Sequence, residues 1–407
     1  MPARKHWIPP LGLAFGQLCH GLSWVLALAI ALDPYSQRAA SAQIAWIHLV
    51  ALGWLTTTAL SILLHAIPAF LEVRWRAESA ARASLAVFAL GVAAFVAAFL
   101  AAPRGIFGIA ISIVAALSVY LATAWRTLAQ AFRSPDRIDR AVARAFAVTL
   151  GMLALAALLG VASASLFTSF TPPPWFVRLP PAHAAIALFG WLTLLIYGVS
   201  ARTLRPLTGN RSRRPVLHVI SGTATLIGAL LLAVGSALGV AAIAWSGAGL
   251  IAIGAAAYVV DVAAVLHGST VTYRVPQAFV ASALIWLVVA LALGGCILAG
   301  LPFGEAFAFA MLAGWAGQMV NGHIFHIGVR LIATIYRGDE DETPPGQLLG
   351  PRLPWAAFAS MQCAVAAILA GLIFGSAPTA AAGAVLGLGG WIALASALAS
   401  ARAAARA

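Results

Sequence analysis

The nine histidines of this sequence are the residues best suited to chemistry. Imidazole is a common ligand for iron and copper, and a polar side chain inside a membrane segment is costly enough to need a reason. Eight of the nine lie in long apolar runs, and only His6 lies outside them. A single histidine in such a run is often a packing residue that bonds a neighbouring helix. Eight together predict at least one metal or haem site.

The histidines fall into two layers along the predicted helices. His48 and His183 lie near the outer starts of their helices, and His65 lies about 25 Å further along the same helix as His48. We therefore expect that one cofactor does not bind both His48 and His65. His20 lies near mid-depth, and the inner layer consists of His65, His218, His267, His323 and His326.

The inner layer also contains charged candidates. His323 and His326 are three residues apart, so a regular helix places them on roughly one face, and Arg330 continues that face. An arginine there suits either a haem propionate or a side chain that extends to the membrane surface. Asp261 is the only carboxylate well inside an apolar run. Asp261 and His267 are candidates for a proton relay. Asp261 is also a candidate for the hydrogen-bond partner of a histidine that binds a cofactor.

One dipeptide recurs at similar intervals. Gly53-Trp54 returns as Gly190-Trp191 and as Gly314-Trp315, and each interval is about the length of four membrane helices with their loops. The sequence therefore predicts three repeated four-helix units, at approximately 1–126, 139–267 and 276–405. Relative to each glycine, the same positions hold histidine in some units and other residues elsewhere: position −5 is His48, Ala185 and Phe309, position −7 is Trp46, His183 and Phe307, and position +12 is His65, Arg202 and His326.

Composition sets the class of protein. Hydrophobic residues make up 62% of the chain and charged residues 9%, and the mean hydropathy is +0.98, which excludes a soluble globular protein. The apolar runs have the length of membrane helices and not of barrel strands. We predict an all-α membrane protein, a single domain over 1–407, with twelve spans at 9–32, 43–71, 82–102, 105–125, 140–167, 181–204, 215–238, 241–267, 276–300, 305–332, 353–375 and 378–401.

The net charge of +13 reflects topology and not a nucleic-acid partner. All basic residues except Arg38, Arg104 and Arg178 fall at the two termini or in alternate loops, all on one side of the membrane. The positive-inside rule puts both termini in the cytoplasm. We expect a multi-pass protein of the bacterial inner membrane that contacts the lipid bilayer and binds no nucleic acid.

The architecture and the motifs resemble a known superfamily. Twelve helices in three units, with a histidine near the outer start of helix 2, resemble subunit I of the haem-copper oxidases and nitric oxide reductases. The set His48, Gly53-Trp54, His65 and Pro68, with the stretch GHIFHIGVRL, is most similar to the small subunit I-like membrane proteins of the NnrS family. The resemblance implies haem, of b type, and copper as cofactors, a role in redox, nitric oxide or metal handling, and a redox partner or second respiratory subunit.

Residue by residue, the resemblance assigns His48 to a haem and His183 to copper. Three departures indicate that no complete oxygen-reducing centre is present: Ala187 stands where such oxidases have a tyrosine, His218 is alone where they have a histidine pair, and His323 and His326 replace a His-x-His pair. We expect His48, His65, His323, His326 and Arg330 to bind haem and His183 and His218 to bind metal. An activity, if there is one, is that of a haem-dependent oxidoreductase.

Two other function classes stay open from the sequence. A cofactor-free transporter would pass protons or metal ions along Asp261, His267, His65 and His326. An assembly partner of a respiratory complex would need none of the histidines. Phosphate-binding, zinc-protease and serine-hydrolase motifs are absent from the sequence, which argues against the common soluble enzymes.

Overall fold

The computed structural model describes residues 10–36, 38–101, 105–134, 136–168, 173–210, 214–338 and 343–406. Within these ranges the chain is helical and contains no strand. The α-helices are α1 (Pro10–Leu32), α2 (Ala39–His48), α3 (Thr57–Leu71), α4 (Glu78–Ala101), α5 (Ile106–Ala131), α6 (Arg137–Ala164), α7 (Leu179–Ala185), α8 (Leu194–Thr208), α9 (Pro215–Leu238), α10 (Ala241–His267), α11 (Val275–Leu298), α12 (Gly304–Phe309), α13 (Gly317–His323), α14 (Val329–Arg337), α15 (Pro345–Leu348), α16 (Arg352–Phe374) and α17 (Ala377–Arg406).

Eleven helices of the described chain are long and apolar enough to cross a membrane. They match eleven of the twelve predicted spans, which confirms an all-α, multi-pass membrane protein. The remaining predicted span, 305–332, corresponds to the continuous helical stretch 304–337. This stretch is long enough but is not among the eleven, because Gln318, Asn321 and His323 interrupt its apolar character.

Four helices contain a Gly-Trp dipeptide, and α17, with Gly390-Trp391, is α-helical throughout. We call the other three the three Gly-Trp helices: Ala39–Leu71, Pro174–Thr208 and 304–337. At the dipeptide each of them changes from α-helix to π-helix, over Leu49–Thr56, Ile186–Thr193 and Ala310–Ala316. A further π-helical stretch, Ile324–Gly328, follows in the third helix. Short π segments are rare and frequently occur at functional sites.

The glycine of each dipeptide lets a neighbouring helix come close. A Cβ at Gly53 would lie 2.9 Å from the Cys19 Sγ of α1, and one at Gly314 would lie 2.8 Å from the Trp286 Cβ of α11. A Cβ at Gly190 would lie 3.3 Å from the Met152 side chain of α6. In each case the long helix that precedes the Gly-Trp helix in the chain therefore packs against its glycine.

Side chains also donate hydrogen bonds to carbonyls within the π segments. The Thr57 hydroxyl donates to the Leu52 carbonyl over 2.8 Å, and the Gln318 amide donates to the Ala313 carbonyl over 3.1 Å. Both acceptors precede the glycine of their dipeptide by one residue, and both donors follow it by four. Two of the three π segments are thus supported by the same local hydrogen bond.

Small residues bring other helix pairs into close contact. A Cβ at Gly235 of α9 would lie 2.4 Å from the Ala244 backbone nitrogen of α10, and Gly228 and Gly247 meet in the same interface. Gly12 and Gly16 of α1 likewise lie against hydroxyl-bearing residues of α3. Such small-residue contacts are typical of helices that pack within a membrane, where close van der Waals contact replaces the hydrophobic drive.

Candidate metal centre

His48 is the last residue of α2, immediately before the first π segment. Its Nδ1 lies 2.8 Å from the Ile44 carbonyl oxygen. A carbonyl can only accept, so Nδ1 carries the proton and Nε2 keeps a free lone pair. Phe95 and Phe99 of α4 pack on the imidazole, with centroid distances of 5.1 and 6.1 Å. The ring is thus held in one tautomer and one orientation.

His183 lies in α7, just before the second π segment, and has the same arrangement. Its Nδ1 lies 2.8 Å from the carbonyl oxygen of Ala156, on α6. Nε2 is again the nitrogen with the free lone pair. A Cβ at Gly160 of α6 would lie 3.1 Å from the His183 Cε1, so the glycine leaves space for the ring. A backbone acceptor on the second ring nitrogen is the usual support of a histidine ligand.

The two imidazole rings lie close together. Their centroids are 6.4 Å apart and their planes are within 10° of parallel. Both line one cavity of about 290 Å³, whose other described walls are apolar apart from Thr56 and the Trp191 indole. Glycine and alanine form much of the wall, at Ala51, Ala110, Ala156, Ala157, Gly160, Ala184, Ala187, Gly304 and Ala308. Two imidazoles with free Nε2 lone pairs thus share a cavity that no carboxylate of the described residues lines.

The histidine pair is one of three equivalent pairs among the three Gly-Trp helices. Each pair consists of position −5 of one helix and position −7 of the next, counted from the dipeptide glycine. His48 is position −5 of the first helix and His183 is position −7 of the second. The corresponding pair between the third helix and the first is Phe309 and Trp46, which stack with centroids 5.3 Å apart. Between the second helix and the third, Ala185 and Phe307 line a cavity of about 430 Å³. Of these three pairs, the first alone consists of two metal-ligating side chains.

The tryptophans of the dipeptides join the same helices in the same order. The Trp191 indole donates to the Thr56 hydroxyl over 3.0 Å, and the Trp315 indole donates to the Thr193 hydroxyl over 3.1 Å. In each case the tryptophan follows its glycine by one residue and the threonine follows the glycine of the previous helix by three. These two bonds fix how the first helix lies against the second and the second against the third.

Trp54 has no equivalent acceptor, because Gly317 stands at the matching position of the third helix. A Cβ at Gly317 would lie 2.9 Å from the Trp54 Cη2, so the indole rests on the glycine. Its Nε1 is buried without a hydrogen-bond partner among the described residues. The indole stacks instead on the fully buried imidazole of His20, with centroids 3.6 Å apart and planes at 4°.

Of the predicted inner-layer haem ligands, His323 is already bonded at both ring nitrogens. Its Nδ1 lies 2.8 Å from the Met319 carbonyl oxygen, and its Nε2 lies 2.7 Å from the Thr203 hydroxyl. Nδ1 therefore donates, and Nε2 shares a hydrogen bond with the Thr203 hydroxyl. Ligation through Nε2 would break the Thr203 bond, so the predicted role of His323 as a haem ligand has no support in this geometry.

His326 and Arg330 lie beyond His323 on the same helix. His326 is in the π segment Ile324–Gly328, so the regular face predicted for His323 and His326 does not hold there. The Arg330 guanidinium lies 3.5 Å from the Thr343 carbonyl oxygen, in the loop after α14. This position is that of a side chain at the end of the membrane helix. Neither residue lines the cavity that contains His48 and His183.

The other predicted site residues lie apart from the pair. His65 is half-buried on α3 and His218 is half-buried on α9, and neither lines the His48 cavity. Asp261 is buried on α10 and accepts a hydrogen bond of 3.2 Å from the Arg214 backbone N–H, at the start of α9. His267 is exposed at the end of α10. A carboxylate at a helix start is a stabilising arrangement, which gives Asp261 a structural role independent of a relay.

Two comparisons with known proteins found no match. No model of a protein family matches the chain, and no curated protein matches its sequence.

Proposed function

We propose that His48 and His183 hold one transition-metal centre between the first and second Gly-Trp helices. The observation that carries the proposal is the pair of parallel rings, 6.4 Å apart, each bonded at Nδ1 to a backbone carbonyl. Two nitrogen–metal bonds of about 2.0–2.1 Å each, added to the radii of the two rings, span about this centroid distance. The two rings would hold a metal ion through their Nε2 atoms.

The charge of the residues around the two rings favours some metals over others. Two neutral imidazoles supply no charge, and the described lining residues include no carboxylate, so a bare divalent ion would be left uncompensated in an apolar site. Cuprous copper carries one charge, and in haem the porphyrin offsets the charge of the iron. Both metals accept imidazole. When bound, either group would supply one-electron chemistry, and the chain would supply fixed ligands, an apolar wall and exclusion of water.

The architecture proposed with this centre has twelve spans, with 304–337 as the tenth, in three units at approximately 1–126, 139–267 and 276–405. It is supported by the three π segments at matching positions, the two tryptophan–threonine bonds and the three pairs at positions −5 and −7. The placement of basic residues supports an inner-membrane location with both termini cytoplasmic.

The biological role proposed is redox, nitric oxide or metal handling by a membrane protein related to subunit I of the haem-copper oxidases and to the NnrS family. A haem of b type or copper is the proposed cofactor, and a redox protein or a second respiratory subunit is the proposed partner. Ala187 lines the cavity beside His183, where an oxygen-reducing centre of the common type has a tyrosine. The proposal therefore does not include oxygen reduction.

A reduced-minus-oxidised optical spectrum of the detergent-purified full chain tests the proposal. A haem centre gives a Soret and visible difference signal that is lost in His183→Ala and retained in His267→Ala, which changes an exposed histidine away from the cavity. A copper centre gives no such signal, and the chain instead contains copper by elemental analysis. A flat spectrum from a chain that holds neither iron nor copper overturns the proposed function.

A further inference from the structure

A second cavity adjoins the histidine cavity on the side of the molecule opposite to the start of α1 and the end of α17. Its volume is about 460 Å³, and residues at the end of α1 and α16 and at the starts of α2, α12 and α17 line it. Three residues line both cavities: Ile47, Gly304 and Ala308. The two cavities are therefore separated by a wall only one side chain thick, and we call the second one the outer cavity.

Much of this shared wall consists of residues with a small side chain or none. A Cβ added at Gly304 would meet no atom within 4 Å, and Ala308, one turn further along α12, carries only a methyl group. Ile47 forms the part of the wall on α2 and immediately precedes His48. A single metal ion can pass between such residues when the side chains move, whereas a porphyrin is far too large. The wall therefore admits an ion and not a haem.

The mouth of the outer cavity carries side chains with oxygen atoms. Glu305 on α12 and Gln43 on α2 line it, together with Tyr35 from the loop between α1 and α2. Glu305 is exposed and Gln43 is half-buried. Gln43 precedes Ile47 by four residues, and Glu305 precedes Ala308 by three, so each polar residue lies about one helical turn, roughly 5 Å, before a residue of the wall. A cation that enters from water therefore meets oxygen atoms first.

The charge around this mouth is negative. Glu305 is the single carboxylate among the described residues that line the outer cavity, and no described basic side chain lines it. The ion pair found within the described ranges joins Glu78 to Arg82, on α4, so it does not involve Glu305. The Glu305 carboxylate can thus attract a cation from water, and its charge offsets that of a monovalent ion that gives up its hydration.

We infer that a cuprous ion reaches the histidine pair through the outer cavity, attracted by Glu305 and passing the wall at Gly304 and Ala308. The inference rests on the proposed function, in its copper form. Beyond the wall the ion exchanges oxygen ligands for the Nε2 atoms of His48 and His183, because copper favours imidazole over carboxylate. Only metal–ligand bonds change, so the copper stays cuprous and no proton moves. Glu305 therefore sets the rate of metal loading and not the amount finally bound.

The test measures how fast the metal-free full chain in lipid nanodiscs takes up copper from the cuprous acetonitrile complex, a monocation, under anaerobic conditions. Samples are quenched at set times with excess chelator, and the copper left on the protein is measured. We expect Glu305→Gln to slow uptake about threefold to tenfold at low salt, because the attraction is lost. Added salt should slow uptake by the unmodified protein and not by the variant. Both should finally bind one copper per chain.

The matched control is Glu72→Gln, which removes an exposed carboxylate just after α3, at the opposite end of the first Gly-Trp helix from the outer cavity. Ala308→Leu adds bulk to the wall and should also slow uptake. Ala122→Leu changes an exposed position on α5 and should not. Uptake by Glu305→Gln that is as fast as by Glu72→Gln, or that keeps the salt dependence of the unmodified protein, overturns the inference. Equal rates in the two leucine variants overturn it as well.

Failure of this inference and failure of the proposed function give different results. Copper that binds at the same rate in all these variants, but is lost in His48→Ala, leaves the proposed centre intact and removes the route. A chain that takes up no copper overturns the inference, and the proposed function then requires haem iron. A chain that holds neither metal overturns both.

Discussion

The Trp191 indole donates a hydrogen bond of 3.0 Å to the Thr56 hydroxyl, and so joins the second Gly-Trp helix to the first through buried side chains. Trp315 and Thr193 repeat the bond between the third helix and the second. At the third joint, Trp54 meets Gly317 and stacks on His20. The three helices therefore form a ring with two hydrogen-bonded joints and one joint made by stacking.

The hydrogen-bonded joints should contribute measurably to stability. Thr193→Val leaves the buried Trp315 N–H without its acceptor, and we expect the free energy of unfolding to fall by about 1–3 kcal/mol. Thermal unfolding of the purified protein in one detergent measures the change. Thr149→Val is the control, because its hydroxyl bonds a carbonyl within its own helix. Equal losses in the two variants would show that the Trp315 bond has no special role.

The third joint depends on the absence of a side chain at Gly317. In Gly317→Ala the added methyl group would lie 2.9 Å from both the Trp54 ring and the Leu312 carbonyl oxygen. We expect a loss of about 1–3 kcal/mol in stability, because the indole must move off His20. In Gly328→Ala the nearest atom is the Ile324 Cγ2 at an ordinary 3.5 Å. A Gly317→Ala protein as stable as Gly328→Ala would contradict this packing.

The orientation of His183 depends on Gly160. A valine there would place side-chain atoms where the His183 ring lies, since even a Cβ would be 3.1 Å from Cε1. We expect Gly160→Val to reduce the metal content of the purified protein several-fold. Gly151→Val lies on the same helix, where an added Cβ meets no atom within 4 Å, and should retain full metal content. Equal metal content in the two variants would argue that His183 is not a ligand.

Asp261 offers a test of its structural role. Because its carboxylate accepts from the Arg214 N–H at the start of α9, we expect Asp261→Leu to lower stability by about 0.5–2 kcal/mol. Asp261→Asn keeps an oxygen acceptor and should lose less. Unfolding midpoints of the three proteins give the comparison. If the asparagine variant were as unstable as the leucine variant, the charge and not the acceptor would be the important feature.

The sequence predicts the helices well because long apolar runs determine them. Eleven predicted spans coincide with helices of the structure, and their ends differ by at most seven residues. The stretch 304–337 is less apolar than the other eleven helices. Its polar residues, such as Gln318 and Asn321, contact other groups inside the protein: Gln318 bonds Gln362, and Asn321 contacts the Met361 sulfur. Composition alone does not distinguish such a helix from a less apolar surface helix.

The site can be predicted only in part. His48 and His183 are each candidates from their positions, but their pairing depends on how position −5 of one helix meets position −7 of the next. Spacing within one helix does not contain that information. A signal is present in the aligned positions, where aromatic residues Trp46 and Phe309 occupy the corresponding pair. The π segments are not predictable in this way, since an i→i+5 pattern has no composition of its own.

The roles of the inner-layer histidines could not be predicted for the same reason. His323 and His326 share a face only in a regular helix, whereas the chain becomes π-helical at Ile324. The bond between His323 and Thr203 joins residues far apart in the sequence, so no local pattern indicates it. Polar groups in a membrane interior can satisfy one another, and only their positions in three dimensions show which of them remain available.

The measurement that tests the central claim most directly is the metal-to-protein ratio of the purified full chain, determined by elemental analysis for the unmodified protein, His48→Ala, His183→Ala and the double variant. One centre held by both rings predicts a single iron or copper per chain that is lost in either single variant, with no further loss in the double variant. His267→Ala should retain it. Retention of the metal in both single variants, or its loss in only one, would contradict a shared centre.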